Sequence, residues 1–237
     1  MVKTNHLKNE EEVNQMFTRV APHYDRLNNV ISLGTQKIWR KKLLAGLEFK
    51  PGVKALDVCC GTGDLAISLA DRLPQGRVTG VDFNDAMLKI ANEKTRTIPN
   101  LILINGDAMD LPLDDNSFDI VTVGFGLRNV PDANKALAEI YRVLKPGGQL
   151  GVLEMSQPTN PVVKIGWQAY FKAFPYLAKL AGGQVKDYQY LQKTSQQFVS
   201  AKKLATMMEN VGFKNVNYTP LNFGAAALHF GIKEQDE

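Results

Sequence analysis

The chain has 237 residues, 44% of them hydrophobic and 22% charged, with 19 Gly, 11 Pro and a net charge of +4. This profile excludes a disordered or collagen-like chain, and the length can bury a core that needs neither disulfides nor a structural metal. The two cysteines, Cys59 and Cys60, are adjacent, a spacing unsuited to a long-range disulfide or a zinc knuckle, and are expected to be small apolar residues in a reducing cytoplasm.

The first residues, Met1 to Asn14, are polar and include Glu10, Glu11 and Glu12, unlike a secretory or transit leader. From Lys54 a regular alternation begins. KALDVCC (54–60) reads as a buried strand, Gly61-Thr62-Gly63 as a turn, and DLAISLADRL (64–73) as a helix. RVTGVDF (77–83) is a second strand, followed by a helix capped at Asn84 or Asp85 and ended by Pro99. Leu101 to Gly106 and Phe118 to Phe125 are the third and fourth strands, with a loop holding Pro112 and Asp114-Asp115-Asn116 between them. A helix from Asp132 to Leu144 is expected to stop at Lys145-Pro146-Gly147-Gly148, before a fifth strand at Gln149 to Met155.

Alternating strands and helices imply an α/β fold, doubly wound around a parallel sheet. The segment 158–200, rich in Lys and aromatics, is expected to form a mainly helical cap. After a helix at 201–210, strands at 215–221 and 225–232 share a three-residue turn and must be antiparallel, making seven strands in all. The apolar runs at 120–127 and 223–232 fall well short of the roughly 20 residues that cross a bilayer.

Charge is distributed unevenly. Residues 51–157 carry 10 Lys+Arg against 14 Asp+Glu, whereas 1–50 carry 9 against 5 and 158–200 carry 5 against 1. The basic flanks also hold Trp39, Trp167, Tyr170 and Phe174, a combination that suits either an anionic membrane surface or simply a solvated face over core aromatics. An aromatic RNA-binding signature is missing, so nucleic acid is not expected as a partner.

Gly61 and Gly63, between a strand and a helix, let a ligand approach the backbone, and with Ala66 they also fit the dinucleotide fingerprint. Asp82 follows Gly63 by 19 residues, at the end of the second strand, where a carboxylate can accept from both ribose hydroxyls of an adenosine. Asp107, at the end of the third, is placed for the adenine amino group. Spacing leaves the cofactor open between a dinucleotide and S-adenosylmethionine. Asp64, where a pyrophosphate would rest, favours the cationic S-adenosylmethionine, as does the acidic body. The histidines lie far apart and no His-x-x-x-His or Cys-x-x-Cys pair occurs, so no metal site is expected.

LDVCCGTGD (56–64), GVDFNDAMLKIA (80–91), LPLDDNSFDIVTVGFGLRNVPD (111–132) and YRVLKPGGQL (141–150) together resemble the class I S-adenosylmethionine-dependent methyltransferases, a Rossmann-like fold. MFTRVAPHYDRLNNVISLG (16–34), Trp39-Arg40 and FGLRNV (125–130) are similar to the menaquinone and ubiquinone C-methyltransferase family, with Val-Cys-Cys closer to the demethylmenaquinone branch. The resemblance spans about residues 13–232. It implies a single methyltransferase domain (1–237): an N-terminal helical substrate-side segment (1–50), a cofactor core (51–157), the cap (158–200), and the final helix and hairpin (201–237). It also implies methylation of a ring carbon of demethylmenaquinol. A ubiquinone-precursor benzoquinol or another small acceptor is the alternative.

Carried over by motif, cofactor contacts fall on Thr62, Asp82, Asp107 and Ala108, beside Gly61 and Gly63, which the turn itself offers. Tyr24, Arg128 and Asn129 are the catalytic candidates, with His23 and Asp25 as alternatives to them. Arg128 is expected to orient a quinol oxygen or a water, or else to brace the pocket by pairing with a carboxylate. Gly124 stands where relatives often have Ser. The implied partners are an isoprenoid quinol, an anionic membrane surface and a second copy of the chain, with a cytoplasmic location at the inner face of the membrane.

Overall fold

Apolar runs separated by glycine and proline turns build a seven-stranded sheet covered on both faces by helices. The structure, a computed structural model, describes residues 10–32, 34–158, 160–167 and 185–235. Three helices come first: α1 (Glu10–Val20), α2 (Tyr24–Ile31) and α3 (Thr35–Ala45). A 3₁₀ turn, Ala21–His23, with Pro22 at its start, joins α1 to α2. The alternating core follows as β1 (Lys54–Val58), α4 (Asp64–Arg72), β2 (Arg77–Asp82), α5 (Asp85–Thr95), β3 (Leu101–Asn105), β4 (Phe118–Gly124), α6 (Ala133–Val143) and β5 (Leu144–Met155). Beyond it lie α7 (161–167), α8 (Val185–Gln197), α9 (Ala201–Val211), β6 (Lys214–Leu221) and β7 (Ala226–Ile232).

The strand order is β3-β2-β1-β4-β5-β7-β6. The first five strands are parallel, and β7 runs antiparallel to both β5 and β6. The doubly wound sheet with a terminal antiparallel hairpin is therefore as the sequence implied. One boundary differs. β5 begins at Leu144 rather than Gln149, because Leu144 pairs with Phe118 across a register shift, so Lys145 to Gly148 form an irregular stretch within the strand. Gly147, at φ +78°, supplies the left-handed residue that this irregularity needs.

Successive residues of β1 face opposite cores. Leu56 and Val58 join the layer of α6 and α9, with Leu137, Ile140, Met208 and Phe213, while Ala55 faces α3 and α4, with Leu43 and Leu69. A third cluster packs Val13, Phe17 and Leu27 of the N-terminal helices against Met87 of α5. These helices thus lie over one end of the sheet, beside the carboxyl edges of the central strands.

Of the cap expected over 158–200, residues 159 and 168–184, with Tyr170, Phe171, Phe174 and Tyr176, lie outside the described residues. Among the described residues, no helix is long and apolar enough to cross a membrane.

Candidate functional site

The carboxyl ends of β1, β2 and β4 meet beneath α1 and α2 in a cleft. After β1 the chain turns through three left-handed residues, Cys59 (φ 58°), Gly61 (φ 56°) and Gly63 (φ 84°). Cys59 is not a glycine, so this conformation stores strain at the cleft wall. It is held by packing: a Cβ on Gly126 would come within 2.5 Å of the Cys59 Cβ, so the absence of one lets the two turns approach. Both cysteines are free, and burial raises both thiols well above their usual range.

Gly61 lines the cleft opposite Tyr24. Thr62 and Gly63 stand behind it. The Thr62 hydroxyl donates to Asp25, and Gly63 opens α4 where a Cβ would lie 3.3 Å from that of Ala91. Asp82, the last residue of β2, accepts from the Gly61 N–H (2.8 Å) and the Asn84 N–H (3.0 Å). Burial pushes its carboxyl up to about 6, against the lowering effect of these backbone donors. Asp107 lies two residues beyond β3, in a turn where its Oδ1 accepts from the Met109 N–H (2.8 Å), and Asp107 and Ala108 both line the cleft.

Glu10, at the start of α1, is the third carboxylate on the lining, and among the described residues no Lys or Arg lines the cleft. The remaining walls are largely apolar, with Phe17, Met87, Met109 and Phe125 prominent. Gly124 is also exposed to the cleft, and a side chain there would press on Leu65, 3.1 Å from a Cβ.

Asp64 requires a correction to the sequence argument. It pairs with Arg40 (2.7 Å) and with Lys94, which also holds Asp25 (2.8 Å). Burial raises its pKa, but the two cations outweigh that effect and hold the carboxyl below its ordinary value. Its charge is therefore answered locally, and the negative character of the cleft rests on Glu10, Asp82 and Asp107.

Tyr24 opens α2 and faces the cleft. Burial raises its phenol above 10, partly offset by the positive charge of Arg128 and a hydrogen bond with Asn28. Arg128 and Asn129 lie on the 3₁₀ turn Leu127–Asn129 that follows β4. Asn129 lines the cleft; Arg128 does not. Instead, the Arg128 Nη1 donates to Glu154 Oε1 (2.6 Å) and to the Phe125 carbonyl (2.8 Å), and its backbone N–H reaches Glu154 Oε2 (3.2 Å). Asn129 Nδ2 donates to the same Phe125 carbonyl (3.2 Å), leaving its buried Oδ1 without a partner among the described residues. His23 is exposed and Asp25 faces Lys94, so neither lines the cleft.

Sequence reasoning missed Glu154, which is 0% exposed. The signal was present. A carboxylate inside the apolar run LGVLEM must find a cation, and Arg128, on an otherwise apolar segment, was the available one.

Comparisons with known proteins show the family and the fold. A family model described as the ubiE/COQ5 methyltransferase family matches residues 5–233. The chain is 58% identical to a demethylmenaquinone methyltransferase of Lactobacillus johnsonii, over 95% of this chain and 94% of that protein. It is 50% identical to one of Lactiplantibacillus plantarum, over 94% and 96%. Among solved structures, a SAM-dependent methyltransferase of Thermotoga maritima, described as a possible histamine N-methyltransferase, superposes with a TM-score of 0.70 at 21% identity, covering 94% of this chain and 100% of that one. That likeness concerns the fold alone. Matched along nearly its whole length by the family model and by relatives at half identity or more, the chain belongs to the ubiE/COQ5 methyltransferase family.

Proposed function

We propose that the chain transfers the methyl group of S-adenosylmethionine to a ring carbon of demethylmenaquinol, giving menaquinol. The observation that carries this reading is the composition of the cleft: among the described residues, three carboxylates, no lining cation and otherwise mostly apolar walls. A sulfonium and an ammonium are favoured in such a field, whereas a pyrophosphate would be repelled. The apolar walls suit a flat aromatic acceptor. The relatives' names point to the same acceptor.

Asp82 takes the ribose hydroxyls with the lone pairs that Gly61 and Asn84 leave open. Asp107 and Ala108 flank the adenine, and Gly61 admits the cofactor close to the backbone. Thr62 and Gly63 keep that turn in shape from behind, through Asp25 and α4. When bound, S-adenosylmethionine supplies a methyl group made electrophilic by its sulfonium. The acceptor's hydroxyls push electron density onto the ring carbon, which forms the new C–C bond; the electrons of the broken C–S bond stay on sulfur, and the ring proton leaves to solvent.

Positioning can supply roughly 7–11 kcal/mol of the barrier reduction for such a step. Tyr24, held neutral, donates to an acceptor oxygen, and Asn129 Oδ1 accepts from a hydroxyl. Arg128 acts from behind this pair. Its charge reaches Tyr24 and favours ionisation of the acceptor hydroxyl before transfer, which leaves the ring more electron-rich, while Glu154 fixes its position. Loss of Arg128 therefore lowers turnover as well as stability. The isoprenoid tail of the acceptor brings the enzyme to the cytoplasmic face of the membrane.

The test is methyl transfer from labelled S-adenosylmethionine to a short-chain demethylmenaquinol under reducing conditions, beside the equivalent ubiquinone precursor. Product from the naphthoquinol is expected. Product from the benzoquinol alone would reject the acceptor, and none from either, despite cofactor binding, would reject the proposed substrate class.

A further inference from the structure

The β6–β7 turn, Asn222–Gly224, carries at its centre an aromatic residue that nothing in the fold requires to be exposed. Phe223 is 85% exposed and sits at φ +58°, a left-handed conformation unfavourable for a bulky side chain. Its position is tied to the cleft. The last residue of β5, Met155, pairs with Ala226, so the turn stands on the same edge of the sheet as the site. Phe125, on the cleft wall, packs against Trp39 with ring centroids 6.1 Å apart, and the Trp39 indole N–H donates to Asn222 Oδ1 (3.3 Å). Phe223 is the next residue.

Two further elements bring apolar side chains to this end of the molecule. Next to Trp39 on α3, Ile38 is 55% exposed. On the other side, a Cβ at Gly224 would lie 3.2 Å from Pro158 Cα, and the chain from Pro158 leads into α7, where Val162 and Ile165 are 78% and 68% exposed. Asn160 caps α7 by accepting from the Val162 and Val163 N–H groups, which orders the helix that carries them. Exposed lysines accompany the apolar residues: Lys37, Lys41 and Lys42 on α3, and Lys164 on α7. Residues 35–45, 156–167 and 214–232 contain no Asp or Glu.

The geometry points to a docking surface for an anionic phospholipid bilayer, in which Phe223, Ile38, Val162 and Ile165 enter the headgroup boundary and the lysines of α3 and α7 meet lipid phosphates. Apolar side chains flanked by cations, with no acid among them, are the chemistry of an interfacial anchor. A second protein surface would need no uniform positive sign. The surface lies on the edge of the sheet into which the cleft opens, so a docked enzyme would receive an acceptor whose tail stays in the bilayer. The inference thus rests on the reading of the acceptor as an isoprenoid quinol.

The experiment is flotation of the full chain with vesicles of phosphatidylcholine alone and with phosphatidylglycerol added, for the wild type, Phe223→Asn and Val162→Ser/Ile165→Ser. Asn tolerates positive φ, so Phe223→Asn preserves the turn. Wild-type binding to the anionic vesicles is expected, with each variant weakened by about tenfold or more, the scale of losing a large apolar side chain from the interface. Methyl transfer to a short-chain, water-soluble acceptor should be unchanged in both variants, while transfer to a long-tailed acceptor in vesicles falls. Vesicle binding is measured without acceptor, so its failure and failure of the acceptor assignment are separable. Equal binding by wild type and variants, or no wild-type binding at low salt, would overturn the proposal. So would a wild-type dimer that Phe223→Asn converts to monomer, since the surface would then belong to a second copy.

Discussion

Asp82 and Asp57 are both buried carboxylates, yet they answer to pH in different ways. Asp82 is pushed up to about 6 by burial while still accepting two backbone N–H groups. Protonation removes the charge and one acceptor that a cationic ligand would use. S-adenosylmethionine affinity should therefore be level above pH 7 and fall by up to about tenfold per unit below 6, a dependence that Asp82→Asn abolishes; calorimetry across this range is the check. Asp57 lies inside β1, with Oδ1 accepting from the Thr122 hydroxyl (2.8 Å) and Oδ2 without a side-chain partner among the described residues. Burial raises it to about 7, with Thr122 opposing. A raised carboxyl favours the folded state fully below the unfolded value near 4, and that contribution is lost as pH rises through 7. Asp57→Asn does not titrate, so its stability relative to the wild type should rise by about 1–3 kcal/mol from pH 4 to pH 8, as read from denaturant unfolding at each pH.

Between elements, single polar side chains fix helices whose placement the sequence leaves open. Asn84 caps α5 by accepting from the Met87 N–H (2.9 Å), and its Nδ2 donates to the Asn14 carbonyl (2.9 Å) and Thr18 Oγ1 (2.9 Å) of α1. Asn84→Asp keeps an oxygen for the cap but loses the donor. Amide exchange should then quicken in α1 while α5 stays protected. Glu154 similarly ties β5 to the turn after β4 through Arg128. Glu154→Gln would cost about 2–4 kcal/mol, because a buried guanidinium loses its counter-charge, and it should lower kcat with little change in cofactor KM; equal loss in both would mean a purely structural pair. The alternating core at 54–155 was legible because its glycines and prolines punctuate segments whose periodicity differs. Gly61, Asp82 and Asp107 were legible for the same local reason, as each closes or follows a strand. The apolar run around Glu154 announced its need for a cation, whereas Glu10 and the Asn84 tether were not legible, since they depend on contacts across 70 residues or on α1 folding back over the sheet.

For the molecule as a whole, the charge asymmetry of the sequence acquires a direction. The antiparallel hairpin was readable from its short turn, but the insertion of β7 between β5 and β6 is decided by long-range packing. That insertion places the β6–β7 turn beside the cleft edge, with the basic α3 on one side. The core at 51–157, with its four-charge acidic excess, supplies Asp82 and Asp107 to the cleft, and α1 adds Glu10. One end of the molecule thus presents an acidic cavity next to a basic, apolar rim. S-adenosylhomocysteine differs from S-adenosylmethionine by the methyl group and the sulfonium charge, so the pair isolates the effect of the cavity's field. Screening weakens that field within a Debye length of about 10 Å at 0.1 M salt and about 3 Å at 1 M. The affinity of S-adenosylmethionine relative to S-adenosylhomocysteine should therefore fall by about two- to fivefold between these conditions, whatever the absolute order of the two. Titration calorimetry of both ligands at each salt concentration is the measurement. Identical salt slopes would mean that the cavity acids act only through hydrogen bonds, and that discrimination of the charged cofactor comes from shape.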